Sequence, residues 1–234
     1  CPPGPYERAS LVASYLKRHK PRSKLILLDA KDNFSKKTLF TQAWQALYGD
    51  MIEWQGASDG AALASVDSRA RRLQTDFDSF EADVANVIPP QRAGAIARRA
   101  GLADASGWCP IDALTFESIQ QDNIHVIGDA AIASAMPKSA FAANAQAKLC
   151  AVQVSRLLRG EAPIASTLLN TCYSLVDRDY GISVAGVYRA SGRSWRPVEG
   201  AGGTSPVQAE REIRGREAGY AFDWFSTLTG QVFG

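Results

Sequence analysis

One segment of the sequence, residues 123–160, places a carboxylate shortly before a helix start. Within it, residues 124–127 read I-H-V-I, a short apolar run with β-branched residues that predicts a buried strand ending at Gly128 and Asp129. A carboxylate at the carboxyl end of a strand lies where open α/β sheets bind ligands, and it accepts hydrogen bonds from hydroxyl groups. Gly128 would let a ligand approach the backbone closely.

The helix that follows supplies the complementary charge. Pro137 precedes a long alanine-rich run, for which Ser139 is the predicted N-cap and Gly160 the predicted C-terminal glycine. The N–H groups near Ser139 and Ala140 point out of a helix start that carries partial positive charge. A polyol next to an electron-poor ring carbonyl would fit between Asp129 and this helix start. The same pattern also fits an ordinary strand–helix unit in which Asp129 caps a turn.

Thiol chemistry is the second possibility, because the chain has four cysteines. Cys150 falls inside the alanine-rich helix and is predicted to be a small buried hydrophobe. Cys109 has no evident partner and receives no function. Cys1 comes just before a predicted helix start, where the helix dipole favours the thiolate form. Spacing alone leaves Cys1 and Cys172 as two unrelated thiols, and three pairings are open if all four cysteines are bridged.

Composition excludes several classes of function. The net charge of +2 gives no argument for binding nucleic acid or an anionic membrane. No stretch of about 18 uncharged apolar residues predicts a membrane span. His19 and His125 lack the spacing of metal ligands, so no metal site is predicted. A hydrophobic share of 46% is ordinary for a globular protein.

The first third of the sequence has the element order of a nucleotide-binding unit but lacks its phosphate-binding turn. A glycine turn, a helix over residues 6–19 and a strand over residues 24–28 lead to the acid Asp29. A pyrophosphate needs glycines and backbone N–H donors around it, and the turn at residues 1–5, C-P-P-G-P, supplies one glycine and three prolines. Asp29 is therefore predicted to be a turn or cap residue.

The remaining elements follow from periodicity and turn signals. Helices are predicted over residues 34–47 (capped by Asn33), 91–100 and 207–229, the last with Phe222, Trp224, Phe225 and Leu228 as its apolar stretch. Strands are predicted over residues 51–54, in two pieces around residues 68–71, over residues 82–88, and within residues 171–188. Residues 192–205 are predicted to be loose because they contain four glycines and a proline.

Three stretches of the sequence resemble known flavoproteins. I-G-D-A at residues 127–130, followed by M-P-K-S-A-F-A-A-N-A-Q-A at residues 136–147, is similar to the second flavin motif of the disulfide-reductase-like flavoproteins. C-P-P-G-P-Y-E-R at residues 1–8 and L-L-N-T-C-Y-S-L-V at residues 168–176 resemble one member of that superfamily, the flavoprotein subunit of flavocytochrome c sulfide dehydrogenase. The resemblance covers nearly all of the 234 residues.

The resemblance implies the fold. It is α/β, a partial two-dinucleotide-binding-domain fold with an α+β C-terminal domain, in which the first FAD-binding βαβ unit is absent. Residues 1–80 would form a region like a pyridine-nucleotide domain without a nucleotide motif, residues 81–160 the returning part of the FAD-binding domain, and residues 161–234 the interface domain. A large N-terminal part would then carry the glycine-rich contact to the FAD pyrophosphate. These residues alone are expected to bind flavin poorly and to be inactive.

The resemblance also implies the site. The cofactor-binding residues would be Gly128, Asp129, Lys138, Ser139, Ala140 and Trp224, with Asp129 on the ribityl chain of FAD. Cys1 and Cys172 would form a redox-active disulfide beside the flavin, and Glu7 would handle protons. Without the resemblance, Glu7 is predicted to be an acid that interacts favourably with the helix dipole, and Trp224 is predicted to be a core aromatic residue of the last helix.

The function implied is that of a periplasmic sulfide–cytochrome-c reductase. Hydrosulfide would attack the disulfide, electrons would pass to FAD, and a haem on a separate cytochrome c subunit would receive them. One alternative is a sulfide:quinone oxidoreductase, which would need an amphipathic C-terminal helix at a membrane surface. The other is a non-catalytic relic that only docks a partner.

Overall fold

A computed structural model describes residues 2–234 of the chain, and Cys1 lies outside the described residues. The helices are α1 (Gly4–His19), α2 (Lys37–Tyr48), α3 (Ala95–Arg99), α4 (Ala140–Leu158) and α5 (Arg211–Phe233). The strands are β1 (Leu25–Leu28), β2 (Ile52–Gln55), β3 (Leu63–Asp67), β4 (Arg72–Thr75), β5 (Ser79–Glu81), β6 (Cys109–Pro110), β7 (Ala131–Ile132), β8 (Thr167–Asp177), β9 (Tyr180–Ser191), β10 (Ser194–Pro197) and β11 (Gly203–Thr204). This mixture of helices and sheets confirms the predicted α/β class.

The chain divides into two compact units. The α1 unit comprises Pro3–Pro89, Tyr173–Ile182 and Ser205–Gly234. The α4 unit comprises Pro90–Cys172 and Ser183–Thr204, together with Pro2. Strands β8 and β9 therefore each contribute residues to both units. The division into domains at residues 80 and 160, made from the sequence, stays a prediction.

The α1 unit packs α1 and α2 with a parallel pair of strands. β1 pairs with β2 in parallel, with Leu25 opposite Ile52, as expected for strands joined by a helix. Aromatic rings fill the core, and the rings of Tyr6 and Phe34 stack with centroids 3.5 Å apart. The predictions for the helix over residues 6–19 and for the strands over residues 24–28 and 51–54 are confirmed.

The start of α2 differs from its prediction. The side chain of Asn33 accepts the N–H of the adjacent Phe34, so its hydrogen bond lies within the loop before α2 and does not cap the helix. The cap position belongs to Lys36, which has φ +65° and places no side-chain hydrogen bond on the helix. α2 therefore begins at Lys37, three residues later than the periodicity suggested.

The strands after β2 form an antiparallel sheet in the order β3–β4–β5. The two predicted β pieces around residues 68–71 are confirmed as β3 and β4. The predicted strand over residues 82–88 is wrong. Pairing ends at Glu81, and the side chains of Val84, Val87 and Ile88 are exposed, so the alternating pattern has neither a partner strand nor a core to face.

Helix α4 is the longest element of the α4 unit, and its predicted limits are confirmed. Ser139 is the N-cap, and Gly160 follows the helix with φ +71°. The same unit contains β10 and β11, which pair antiparallel with β9. Residues 192–205 are therefore not simply loose. Trp195 is buried in the core beside Phe116, which anchors this segment despite its glycines.

The predicted strand at residues 124–127 is also wrong. Those residues bond to the chain just before them, through Ser118 N–H to Ile124 O at 2.7 Å and Val126 N–H to Phe116 O at 2.9 Å. Parallel pairing occurs a few residues later, between β6 and β7. Hydrogen bonds to near sequence neighbours have replaced the ladder that the apolar run predicted.

Helix α5 follows its prediction less closely than α4. It runs from Arg211 to Phe233, and its buried residues are Arg214 and Ala218. Ala218 packs against Gly181, where a Cβ would meet the backbone of α5 at 2.4 Å. The predicted apolar stretch lies beyond this contact, and Phe222 and Phe225 are exposed, so that stretch is not the buried face. Among the described residues no helix is both long and apolar enough to cross a membrane.

Candidate functional site

The turn before α4 depends on glycine at position 128. Gly128–Ala130 form a single 3₁₀ turn in which Gly128 has φ +68°, a conformation that glycine adopts without steric cost. The Gly128 N–H donates to Gln146 Oε1 of α4 at 2.7 Å, and an added Cβ would lie 3.3 Å from the Ala143 side chain. The turn is therefore packed directly onto the first half of α4.

Asp129 presents its carboxylate to solvent from this turn. The residue is exposed, and no donor from residues 2–234 makes a hydrogen bond to its carboxylate. Its backbone oxygen, by contrast, accepts a hydrogen bond from Lys138 Nζ at 2.7 Å. The protein thus fixes the backbone of Asp129 and leaves its side-chain acceptors available for the hydroxyl groups of a ligand.

Lys138 uses its ammonium to hold the turn. Nζ donates to the backbone oxygens of Asp129 and Ala131, both at 2.7 Å, and lies 3.9 Å from the centroid of the Trp108 ring. Burial lowers the pKa of Lys138, and the neighbouring Asp129 and Cys109 oppose that shift. The structure therefore shows Lys138 as a clamp on the turn.

Ser139 joins the start of α4 to strand β8. Its buried hydroxyl accepts the Ala142 N–H at 3.1 Å and donates to Asn170 Oδ1. Ala140, the first residue of α4, is exposed. The helix start is thus oriented by a capping bond and by a second bond to the strand that carries Cys172.

Strand β8 carries a buried polar face around Cys172. Its burial alternates, so that Asn170, Cys172 and Ser174 share the buried face. Cys172 is 7% exposed and lies about 7 Å along the strand from each of the other two positions. The structure therefore brings Ser139 to the strand of Cys172. The predicted partner, Cys1, lies outside the described residues.

Glu7 lies in the first turn of α1, as predicted, and its carboxylate is not simply solvated. Oε1 accepts the N–H of Leu175 in β8 at 2.7 Å. Burial raises the pKa of Glu7, and the Leu175 hydrogen bond and the charge of Lys36 oppose that rise. A carboxyl group with this environment suits proton transfer.

Trp224, the last of the predicted site residues, lies in the C-terminal half of α5 and is half-buried. Its neighbours Phe222 and Phe225 are exposed. Its role at the flavin stays a prediction.

A second carboxylate, Asp29, is fully engaged by its own chain. Its side chain accepts hydrogen bonds from Tyr6 Oη, Lys31 Nζ and Trp54 Nε1, and Oδ1 also accepts the Lys31 N–H at 3.2 Å. Burial alone would raise the pKa of Asp29, but these hydrogen bonds lower it below its usual value. The prediction that Asp29 is a turn residue is confirmed.

A groove of about 860 Å³ lies elsewhere in the α1 unit. It is lined by Ser14, Lys17, Arg18, Asp177, Arg178, Asp179 and Phe222. None of the predicted site residues lines it, and Ser14 Oγ already donates to Asp177 Oδ1 at 2.7 Å.

Sequence reasoning missed three buried polar residues of this region, Lys36, Asn170 and Ser174. Asn170 and Ser174 had a readable signal, because they alternate with Cys172 at the period of a strand. Lys36 had none. Its burial and its contact with Ser174, where Nζ donates to Oγ at 2.9 Å, depend on residues 138 positions apart in the chain.

Two family models match this chain. Residues 1–89 match the model described as sulfide dehydrogenase (flavocytochrome c) flavoprotein chain, central. Residues 164–233 match the model described as flavocytochrome c sulphide dehydrogenase, flavin-binding. The matched segments include Glu7, Cys172 and Trp224, whereas the turn of Asp129 and the start of α4 lie between them.

Proposed function

This chain belongs to the family of flavocytochrome c sulfide dehydrogenase flavoprotein chains, and we propose that it oxidises sulfide with a disulfide and bound FAD and delivers the electrons to a cytochrome c. The family makes it a flavoprotein subunit of an oxidoreductase. The observation that carries the proposal is that two separate segments, residues 1–89 and 164–233, match this one family.

The residues at the start of α4 fit a flavin. Asp129 offers an exposed carboxylate without a donor from the described residues, which suits the hydroxyls of a ribityl chain. The exposed Ala140 and the capped helix start offer partial positive charge to a ring carbonyl. Gly128 and Lys138 hold the turn between them. When bound, FAD supplies the two-electron oxidation and the later one-electron steps.

The sulfur chemistry is assigned to Cys1 and Cys172, by resemblance to the family. Hydrosulfide attacks one sulfur of their disulfide, so that a new S–S bond to that cysteine forms as the Cys1–Cys172 bond breaks. The products are a persulfide on one cysteine and a thiolate on the other. The position of Cys172 inside the segment that matches the flavin-binding family model supports this assignment.

Glu7 is assigned the proton transfer. Its carboxylate accepts the proton released as hydrogen sulfide becomes the attacking hydrosulfide anion. The hydrogen bond from Leu175 fixes the position of the carboxylate, and partial burial supports the role because it raises the pKa of Glu7 and so its affinity for a proton. Trp224 is assigned to the flavin surroundings by resemblance alone.

The partner proposed is a cytochrome c subunit, which carries the haem and takes electrons one at a time. The family name itself joins the flavoprotein to a cytochrome c. A disulfide that must persist suits an oxidising compartment, and we therefore assign the protein to the periplasm.

The deciding experiment replaces Cys172 by Ser in the whole flavoprotein assembled with its cytochrome. Loss of the disulfide that hydrosulfide attacks should lower the rate of sulfide-dependent cytochrome reduction by about a hundredfold or more. Cys150→Ser is the matched control, because Cys150 is a buried residue inside α4 away from the assigned chemistry, and its rate should stay within about twofold.

Two results would overturn the proposal. An unchanged rate in Cys172→Ser would remove the disulfide from the mechanism, as expected for a non-catalytic relic. Reoxidation of the reduced protein by a soluble quinone, but not by cytochrome c, would assign it to the sulfide:quinone oxidoreductases.

A further inference from the structure

Lys36 occupies a position that is unfavourable for a lysine in three respects. It has φ +65°, a left-handed conformation that bulky residues avoid. It precedes the first turn of α2, where a positive charge opposes the helix dipole. It is also only 8% exposed, and burial of an ammonium group is costly unless other groups compensate it. Such a combination points to a specific task for the side chain.

The contacts of Lys36 show where its charge is held. Nζ donates to the hydroxyl of Ser174, a fully buried residue of β8, at 2.9 Å. Nζ also lies 5.9 Å from the centroid of the Phe40 ring, which supports a cation at that place. The ammonium is therefore fixed from both β8 and α2.

Glu7 reaches the next residue of the same strand. Its Oε1 accepts the Leu175 N–H at 2.7 Å, so a carboxylate and an ammonium bind to consecutive residues of β8. The charge of Lys36 acts on Glu7 and favours its ionised form. The hydroxyl of Ser174 fixes the position of the ammonium, and the N–H of Leu175 fixes the position of the carboxylate.

The charged surroundings of Glu7 are simple within residues 2–234. On the α2 side, Lys36 is the titratable group that acts on Glu7, and on the β8 side the Leu175 N–H does so. Burial raises the pKa of Glu7, while the Leu175 hydrogen bond and Lys36 lower it. Without the charge of Lys36, the effect of burial would be less opposed, and the pKa of Glu7 would rise.

We propose that Lys36 is a positioning residue for Glu7, whose ammonium, anchored on Ser174, keeps the carboxylate ionised and ready to accept the proton of hydrogen sulfide. This inference rests on the proposed function, because it requires Glu7 to be the proton acceptor. In the step itself, the S–H bond of hydrogen sulfide breaks, the proton forms an O–H bond on Glu7, and hydrosulfide remains as the nucleophile. The positive charge of Lys36 balances the negative charge on Glu7 until that transfer occurs.

The first test measures the titration of Glu7 directly, without turnover. The whole flavoprotein with its cytochrome is labelled with ¹³C at the glutamate carboxyl groups, and the Glu7 signal is identified by its loss in Glu7→Gln. In Lys36→Gln, which keeps a hydrogen-bonding side chain but no charge, the midpoint should move up by about one pH unit, a tenfold rise in proton affinity. Lys37→Gln is the matched control, because Lys37 is adjacent in sequence and bonds to Asp32 O instead, and its midpoint should not move.

Two further variants separate the charge from the anchor. Lys36→Arg keeps the charge and should hold the midpoint near that of the parent protein. Ser174→Ala keeps the lysine but removes its anchor, so it should give an upward shift smaller than that of Lys36→Gln. If Lys36→Gln does not fold, an unshifted midpoint in Ser174→Ala overturns the inference.

The second test compares pH profiles of sulfide oxidation. The acidic limb of kcat/KM should move to higher pH in Lys36→Gln, by the same amount as the carboxyl midpoint, and should return in Lys36→Arg. An unchanged Glu7 midpoint in Lys36→Gln overturns the inference even if Cys172→Ser abolishes turnover. A shifted midpoint with full turnover in Cys172→Ser overturns the sulfur chemistry and leaves the coupling of Lys36 to Glu7 in place.

Discussion

Asp29 of the α1 unit and Asp129 of the α4 unit are both acids that the sequence predicts at the carboxyl end of a strand. In the structure, Asp29 follows β1 and receives hydrogen bonds from Tyr6, Lys31 and Trp54. Asp129 lies in the turn before α4, and its carboxylate has no donor among residues 2–234. The comparison teaches that the donors supplied by the chain itself decide whether such an acid serves the fold or is available to a ligand.

Electrostatics strengthens the contrast on the side of Asp29. Burial and the hydrogen bond to Asp29 raise the pKa of Tyr6 to about 12, so the phenol stays protonated and remains a donor. A ribose hydroxyl could bind Asp29 only by displacing donors that are already in place. The sequence of residues 1–5 lacks a phosphate-binding turn, and Asp29 is already hydrogen-bonded by its own chain. Both observations disfavour binding of a pyridine nucleotide.

The largest effect is expected from Asp29→Ala. Removal of the carboxylate leaves Tyr6 Oη and Trp54 Nε1 without their acceptor in a partly buried place, which should cost about 2–4 kcal/mol of unfolding free energy. Urea denaturation of the whole flavoprotein measures this loss. Asp129→Ala is the matched control and should change stability by less than about 0.5 kcal/mol. Equal losses in the two variants would break the comparison.

Incorporation of FAD is expected to show the reverse, with a loss in the Asp129 variant and none in the Asp29 variant. Asp129→Ala removes a charged acceptor from the proposed ribityl site, which is worth about 1.5–3 kcal/mol, so half-maximal incorporation of FAD into apoprotein should need about a 10- to 100-fold higher concentration. Flavin absorbance per chain measures it. Asp29→Asn, which keeps an acceptor for Tyr6, should incorporate FAD like the parent. Normal incorporation in Asp129→Ala would show that Asp129 does not hold the cofactor.

Sequence patterns predicted the elements that organise themselves locally. α1 and α4 carry their signals in periodicity and in caps such as Ser139, because those contacts lie within one or two turns. The prediction of a strand at residues 124–127 was wrong. A strand forms only where a partner strand pairs with it, and this segment instead makes local hydrogen bonds to Phe116 and Ser118.

The candidate site was predictable only in part. The positions of Asp129 and Cys172 followed from motif resemblance. The engagement of Asp29 by Trp54, 25 residues away, and of Ser174 by Lys36, 138 residues away, did not, because tertiary packing alone brings these groups together. The exposed Phe225 shows the converse, since an apolar stretch does not reveal by itself which face of a helix is covered.

The smallest effect is expected in acid, and it concerns the charge of Asp29 alone. The pKa of Asp29 is lower in the folded protein than its ordinary value of 3.8, so the unfolded chain binds that proton more tightly. The stability that Asp29 contributes is therefore present above pH 3.8 and is lost as the pH falls below it. Unfolding free energies measured between about pH 2 and pH 6 should show a flatter acid decline in Asp29→Asn than in the parent. An unchanged decline in Asp29→Asn would show that the hydrogen bonds to Asp29 do not favour its ionised form in the folded chain.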